Sequence, residues 1–110
     1  MIKKQFYKNK CRATFYLPEP LAFDIEQVYL VGDFNRWSEK GAEAKQLQPF
    51  RKTLKIQVDL ELDQEYQFRY HIYRVNGTTD GEWHNDWNAD KYVPSPYGLD
   101  NSVILTYRFS

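Results

Sequence analysis

The stretch TLKIQVDLEL, residues 53–62, alternates apolar and polar side chains with a period of two. Successive side chains of a β-strand point to opposite faces, so this pattern predicts a strand with one buried and one solvated face. The same alternation marks RATFYL (12–17), EYQFRYHIY (65–73) and SVILTYRF (102–109), and QVYLVG (27–32) predicts a further, buried strand. The sequence is therefore dominated by β-strands.

Turn-forming residues separate these strands. They are Pro18-Glu19-Pro20, Gly32-Asp33, Asn76-Gly77, Asp80-Gly81, Pro94-Ser95-Pro96 and Tyr97-Gly98. The only helix-like stretch, SEKGAEAKQL (38–47), contains Gly41, so we interpret it as a loop with one turn. Short strands separated in this way predict an all-β fold, an antiparallel β-sandwich of immunoglobulin type. We expect residues 1–110 to form a single domain, because this length supports one core and no linker or repeat divides it.

Charge and hydropathy exclude several classes of protein. The chain has 15 basic and 15 acidic residues without a long run of either sign, so a nucleic-acid partner is not expected. No apolar segment reaches the length of a membrane span, and the N-terminal residues lack the apolar region of a signal peptide. The single cysteine, Cys11, permits no internal disulfide and opens a predicted strand. We expect a soluble cytoplasmic protein with no membrane partner.

Candidate catalytic residues are few. His71 falls on the polar face of a predicted strand, where we expect a solvated side chain. His84 is followed by Asn85 and Asp86, which can hydrogen-bond a ligand, but no metal-ligand spacing, nucleophile elbow or phosphate loop is present. The acidic residues fall mostly on strand faces and turns, although a pair of carboxylates that meets only in space is not visible in a sequence. We expect no enzyme activity, metal or cofactor.

The aromatic residues, 17% of the chain, pose the main functional question. Trp37 ends VYLVGDFNRW (28–37), and Trp83 and Trp87 stand in GEWHNDW (81–87). A lone tryptophan is most often buried, and we expect one of Trp83 and Trp87 to be in the core. Alternatively, exposed rings cover the apolar face of a sugar while Asn, Gln or Arg side chains bind its hydroxyl groups. The residues alone leave both interpretations open.

Four segments together resemble a known family: the strand running into GDFNRW (32–37), EYQFRYHI, GEWHNDW and YGLDNSVI (97–104). The chain resembles carbohydrate-binding module family 48, also called the isoamylase N-terminal or early-set domain, over most of residues 10–107. That family includes the glycogen-binding domain of the AMP-activated protein kinase beta subunit. The resemblance implies a stand-alone, non-catalytic module whose partner is an α-glucan such as glycogen or a maltooligosaccharide.

The resemblance also implies a set of binding residues. Trp37 and Trp83 would stack on glucose rings, Gln67 and Asn101 would bind hydroxyl groups, and Tyr97 would line the edge of the site. Gln67 stands where glycogen-binding members have a lysine, and Tyr97 stands where they have a leucine. The hairpin RVNGTTDGEW (74–83) is longer than usual, which puts the placement of Trp83 in question. Weaker neighbours of the site are Arg69, His84 and Asn85.

An alternative is a protein-interaction module that has lost sugar binding and regulates a glucan-metabolising enzyme. An exposed sheet edge or aromatic patch would then bind the partner. Burial of Trp37 and Trp83 would favour this alternative, and we expect a monomer or a weak homodimer. The glycosidase activity of enzymes that carry the family's domain is not expected here, because we find no catalytic barrel in the sequence.

Overall fold

The computed structural model describes residues 1–96 and 98–108. In this part of the chain the regular structure consists of β-strands and three short 3-10 turns. The strands are β1 (Ile2–Phe6), β2 (Cys11–Tyr16), β3 (Ile25–Gly32), β4 (Gln48–Phe50), β5 (Thr53–Leu60), β6 (Glu65–Arg74), β7 (Glu82–His84), β8 (Lys91–Pro94) and β9 (Asp100–Leu105). The turns are Glu19–Leu21, Asp33–Asn35 and Gly41–Glu43. Within the described residues, no helix is long and apolar enough to cross a membrane.

The strands form two antiparallel sheets. The first sheet has the order β1-β2-β5-β4, and the second has the order β3-β6-β9-β8 with β7 also paired to β6. The long strand β6 pairs with β3 along one side. Along its other side it pairs first with β9 and then with β7. This arrangement confirms the predicted antiparallel β-sandwich; its immunoglobulin-type subclass stays a prediction.

The core lies between the two sheets and is built by the alternating strands. In β6, Phe68, Tyr70 and Ile72 are fully buried, and the intervening residues point to the outer face. Phe15 of β2 meets Phe68 edge to face, with ring centroids 5.1 Å apart. Burying a side chain of this size contributes roughly 1.5–3 kcal/mol, so these contacts stabilise the packing of the two sheets. The period-two predictions for β2 and β6 are confirmed.

Strand β9 differs from its prediction. Both Val103 and Ile104 are buried, so burial in β9 does not alternate as the pattern of residues 102–109 predicts. Ile104 belongs to the core cluster, and Val103 lies opposite Gln67 on the other face of the sheet. The strand ends at Leu105, because Thr106 turns the chain by donating from its backbone and its hydroxyl to the segment after β5. Residues 109 and 110 lie outside the described residues.

Short strands are the main omission from the sequence-based prediction. The strands β1, β4, β7 and β8 have three to five residues each, too few to show a period. The predicted loop at residues 38–47 is confirmed, with the single turn Gly41–Glu43. Strand β7 carries Trp83, one of the residues predicted to bind a ligand.

Candidate functional site

The outer face of the second sheet carries a groove of about 600 Å³. The side chains that line it come from β6, β7, β9 and the loops after β3 and β8. Its principal members are Asp33, Trp37, Gln67, Arg69, Trp83 and Asn101. Ser95 and Pro96 also line the groove, directly before Tyr97, which lies outside the described residues. Four of the five predicted binding residues are thus brought together.

The loop that presents Trp37 begins where β3 runs against β6. A Cβ atom on Gly32 would lie 2.5 Å from the carbonyl oxygen of Gln67, so only glycine permits this close approach. The buried side chain of Asn35 then holds the loop. Its Oδ1 accepts from the Gly32 N–H at 3.0 Å, and its Nδ2 donates to three carbonyl oxygens, those of Leu30, Ser38 and Glu43. Asn35 is therefore a structural residue of the GDFNRW segment.

The backbone of this loop is strained at the position of the tryptophan. Arg36 and Trp37 have φ values of 56° and 57°, a left-handed conformation that costs about 1–2 kcal/mol per residue outside glycine. A hydrogen bond of 2.9 Å from the Trp37 N–H to the carbonyl of Gly32 closes the loop. The Asn35 contacts offset the strain, and the result is a tryptophan fixed at the surface.

The Trp37 ring is held by one carboxylate. Its Nε1 donates to Oδ1 of Asp33 at 2.9 Å, and the backbone N–H of Gln67 donates to Oδ2 of the same residue at 2.8 Å. The side chain of Trp37 is 37% exposed, so the interpretation of a core tryptophan is wrong here. With its N–H occupied, the partly exposed ring lines the groove.

Trp83 is supported from behind by a histidine. Strand β7 places Trp83 directly opposite His71 of β6, and the two rings stack with centroids 4.0 Å apart and planes 6° apart. One face of Trp83 is therefore covered, and the side chain remains 40% exposed along the groove. The long hairpin at residues 74–83 does not displace Trp83 from this surface. Trp87 is 57% exposed, so the expectation that one of these two tryptophans is core is wrong.

His71 is buried, with 3% of its surface exposed, so its predicted solvated state is wrong. Trp83 and Tyr73 cover its ring, Nε2 lies 2.8 Å from the carbonyl oxygen of Asp80, and Nδ1 lies against the carboxylate of Glu39. Burial lowers the pKa of His71, and the Asp80 carbonyl partly offsets that effect. The period of β6 could not predict this burial, because the residue that covers His71 belongs to β7, a strand that the sequence did not reveal.

Amide and guanidinium groups line the groove between the two tryptophans. Nδ2 of Asn101 donates to Oε1 of Gln67 at 2.8 Å, which orients both amides. Nη2 of Arg69 donates to the carbonyl of Leu99 at 2.9 Å, and burial lowers the pKa of this guanidinium. The Nε of Arg69 has no hydrogen-bond partner among the described residues. Flat rings beside fixed polar groups suit a ligand with apolar faces and hydroxylated edges.

The segment after Trp83 is used by the fold itself. Oδ1 of Asn85 accepts from both the N–H and the hydroxyl of Ser102, and Oδ2 of the buried Asp86 accepts from the Tyr70 hydroxyl at 2.7 Å. His84 lies 2.9 Å from the carboxylate of Glu82. Burial and the neighbouring Asp86 carboxylate raise the pKa of Tyr70 well above its ordinary value. Asn85 and Asp86 fasten the loop to β9, so they are not placed to bind a ligand.

Asp33 is the residue of this site that sequence reasoning missed, and its place in a Gly-Asp turn gave no signal beyond the turn itself.

In residues 1–96 and 98–108, no group of three or more His, Cys, Asp or Glu side chains is arranged to hold a metal ion. No protein-family model matches the chain, and comparisons with curated proteins and with solved structures give no significant match. The function is therefore inferred from the geometry of the groove.

Proposed function

We propose that the groove binds a chain of α-linked glucose, such as a maltooligosaccharide or an outer branch of glycogen, without cleaving it. One observation carries the proposal: Trp37 and Trp83, far apart in the chain, line the same groove beside the Gln67–Asn101 amide pair. The segments that carry these residues, GDFNRW and GEWHNDW, are also those that resemble carbohydrate-binding module family 48.

The chemistry of the groove matches a neutral sugar. The C–H face of each glucose ring packs on an indole, and the adjacent hydroxyl groups exchange hydrogen bonds with Gln67, Asn101 and Arg69. Both tryptophans are held by internal contacts, through Asp33 and His71 respectively, so little side-chain entropy is lost on binding. Because the groove is open to water, we expect a binding free energy of roughly −4 to −6 kcal/mol, which corresponds to about millimolar to tens of micromolar.

The small number of carboxylates in the groove supports binding without hydrolysis. Among the described lining residues Asp33 is the only acidic one, and both of its oxygens already accept hydrogen bonds, from Trp37 and Gln67. Glycoside hydrolysis typically requires two carboxyl groups on opposite sides of the scissile bond. A module of this kind would bring a glucan-metabolising enzyme to its substrate.

Titration with maltoheptaose, followed by tryptophan fluorescence and by calorimetry, tests the proposal. Trp37→Ala and Trp83→Ala are each expected to weaken binding about tenfold or more, because each removes one stacking surface. Trp87→Ala is the matched control, since it removes an exposed tryptophan outside the groove and leaves the affinity unchanged. Circular dichroism verifies the fold of each variant.

The same titration with cellohexaose, a β-linked glucan, checks the specificity. Absence of binding to maltoheptaose at several millimolar would refute the proposed function. Equal loss of affinity in Trp37→Ala and Trp87→Ala would show that the sugar binds elsewhere.

A further inference from the structure

A second groove, of about 520 Å³, lies at one end of the first sheet. It shares no described residue with the groove that Trp37 and Trp83 line, which is called the glucan groove below. Its apolar lining includes three aromatic side chains, from β2, β4 and the loop after β7: Tyr16, Phe50 and Trp87. The rings of Tyr16 and Phe50 lie 6.0 Å apart, and Trp87 is the most exposed tryptophan of the chain. This second groove is referred to as the Trp87 groove.

Positive charge surrounds this apolar surface. Lys3, Arg51 and Lys52 line the Trp87 groove, against a single acidic lining residue, Glu19. The Nζ of Lys55 lies 3.9 Å from the centre of the Phe50 ring, and the guanidinium of Arg51 lies 5.1 Å from the same ring. The groove therefore combines three lining cations, and a fourth beside them at Phe50, with aromatic faces, a pattern different from the amide-lined glucan groove.

These four cations lack acidic partners. Among residues 1–96 and 98–108, none of Lys3, Arg51, Lys52 and Lys55 has a carboxylate oxygen within 4.0 Å. Six other cations do form such pairs: Lys4, Lys10, Arg12, Arg36, Arg74 and Lys91. Since the whole chain has a net charge of +0, the positive charge at this groove is a local excess. Such an excess attracts an anionic partner.

We propose that the Trp87 groove binds an acidic peptide segment of a partner protein, with an aromatic or aliphatic side chain of that segment packed on Trp87 and Phe50. Carboxylates on either side of that side chain would pair with Lys3, Arg51 and Lys52 at the rim. A neutral glucan would leave all of these charges unused. A nucleic acid would need a longer basic track along its phosphates, whereas the cations here surround one confined groove.

An array of random twelve-residue peptides, probed with the labelled protein, tests this inference. We expect the bound peptides to be enriched in Asp and Glu next to Phe, Tyr, Trp or Leu. The strongest binder is then titrated in solution against the variants. Trp87→Ala is expected to weaken its binding about tenfold, and the double variant Arg51→Gln/Lys52→Gln is expected to do the same, because each exposed ion pair contributes a factor of roughly two to five.

The double variant Lys8→Gln/Lys40→Gln is the matched control. It also removes two positive charges, and both lysines are exposed and without a carboxylate partner among the described residues. Its peptide affinity is expected to stay within twofold of the parent. All substituted side chains are exposed, and thermal melting by circular dichroism verifies each fold.

Bound peptides without an excess of acidic residues would overturn the proposal, as would unchanged affinity in both the Trp87 and the Arg51/Lys52 variants. A solution titration with single-stranded oligouridylate supplies the competing outcome. Tighter binding of that RNA than of the best peptide would assign the groove to nucleic acid and reject a peptide partner.

Discussion

Replacing Asn35 with alanine is expected to loosen the loop that presents Trp37. The side chain is buried and contacts four backbone groups, the Gly32 N–H and the carbonyls of Leu30, Ser38 and Glu43. An amide nitrogen carries only two hydrogens, so the three carbonyls share two donors. Three hydrogen bonds at about 1 kcal/mol each give a loss of about 3 kcal/mol in the free energy of unfolding. That is a large fraction of the 5–15 kcal/mol typical of a domain.

Two measurements separate the loss of unfolding free energy in Asn35→Ala from the effect of the substitution on Trp37 and its groove. Urea unfolding followed by circular dichroism gives the free energy. In a Trp83→Phe/Trp87→Phe background the fluorescence comes from Trp37 alone, and removal of Asn35 is expected to shift its emission to longer wavelength. Maltoheptaose binding in the single variant should weaken about tenfold, although Asn35 does not line the groove. Asn9→Ala, at an exposed side chain, is the control and should change neither quantity.

The variant Asn35→Asp sharpens the test. It keeps an oxygen for the Gly32 N–H but turns an acceptor toward the three carbonyls that the amide now serves. We expect it to be at least as unstable as Asn35→Ala at pH 7. A loss below 1 kcal/mol in both variants, with unchanged Trp37 emission, would refute the claim that this amide holds the loop.

Two further predictions concern the backbone and the charges. Gly32→Ala is expected to lower the free energy of unfolding in urea by about 2–3 kcal/mol, because the added Cβ would overlap the backbone of β6. Gly41→Ala is the control: its Cβ would lie in open space at a positive φ, and the expected loss is only about 1 kcal/mol. Equal losses in the two variants would contradict the close approach at Gly32. Hydrogen bonds from Arg12, and secondarily from Lys10, lower the pKa of Asp59 to about 2, below its ordinary value of 3.8. The ionised Asp59 therefore stabilises the fold above about pH 4, and this contribution is lost as the pH falls toward 2. The difference in unfolding free energy between Asp59→Asn and the parent should shrink as the pH falls from about 4 to about 2, with Asp63→Asn as the control. A difference that does not change with pH would show that the ion pair of Arg12 and Asp59 does not stabilise the fold.

The core strands could be predicted from the sequence because burial there follows the strand period. In β6, Phe68, Tyr70 and Ile72 face the other sheet as their spacing requires. The pattern on the outer face is not informative in the same way, since a polar residue there can be solvated or covered by a third element. His71 shows the difference: it lies on the outer face of β6 as predicted, but Trp83 covers it there.

The exposure of the tryptophans could not be predicted from the residues alone, because it depends on loop geometry and strand pairing. Trp37 follows a turn that depends on the close approach at Gly32 and on the buried amide of Asn35, and the sequence indicates the turn but not the exposure of the ring. The position of Trp83 depends on a three-residue strand, β7, which pairs with the end of β6 across the hairpin at residues 74–83. Three residues are too few to show a strand period, so the hairpin was recognised but not the strand that carries Trp83. The contact of Glu39 with His71, which are far apart in the chain, was not predicted either.

The loop between β7 and β8 connects the two proposed binding surfaces. Trp83 precedes Asp86 and lines the glucan groove, and Trp87 follows Asp86 and lines the other groove. Asp86 is itself fixed from the core, since it accepts from the Tyr70 hydroxyl and its N–H donates to the hydroxyl of Ser102. A buried, fully bonded polar group is costly to disturb, so this junction holds both tryptophans in place. The two grooves share this support but no described lining residue, so we expect the proposed sugar and peptide ligands to bind independently of each other.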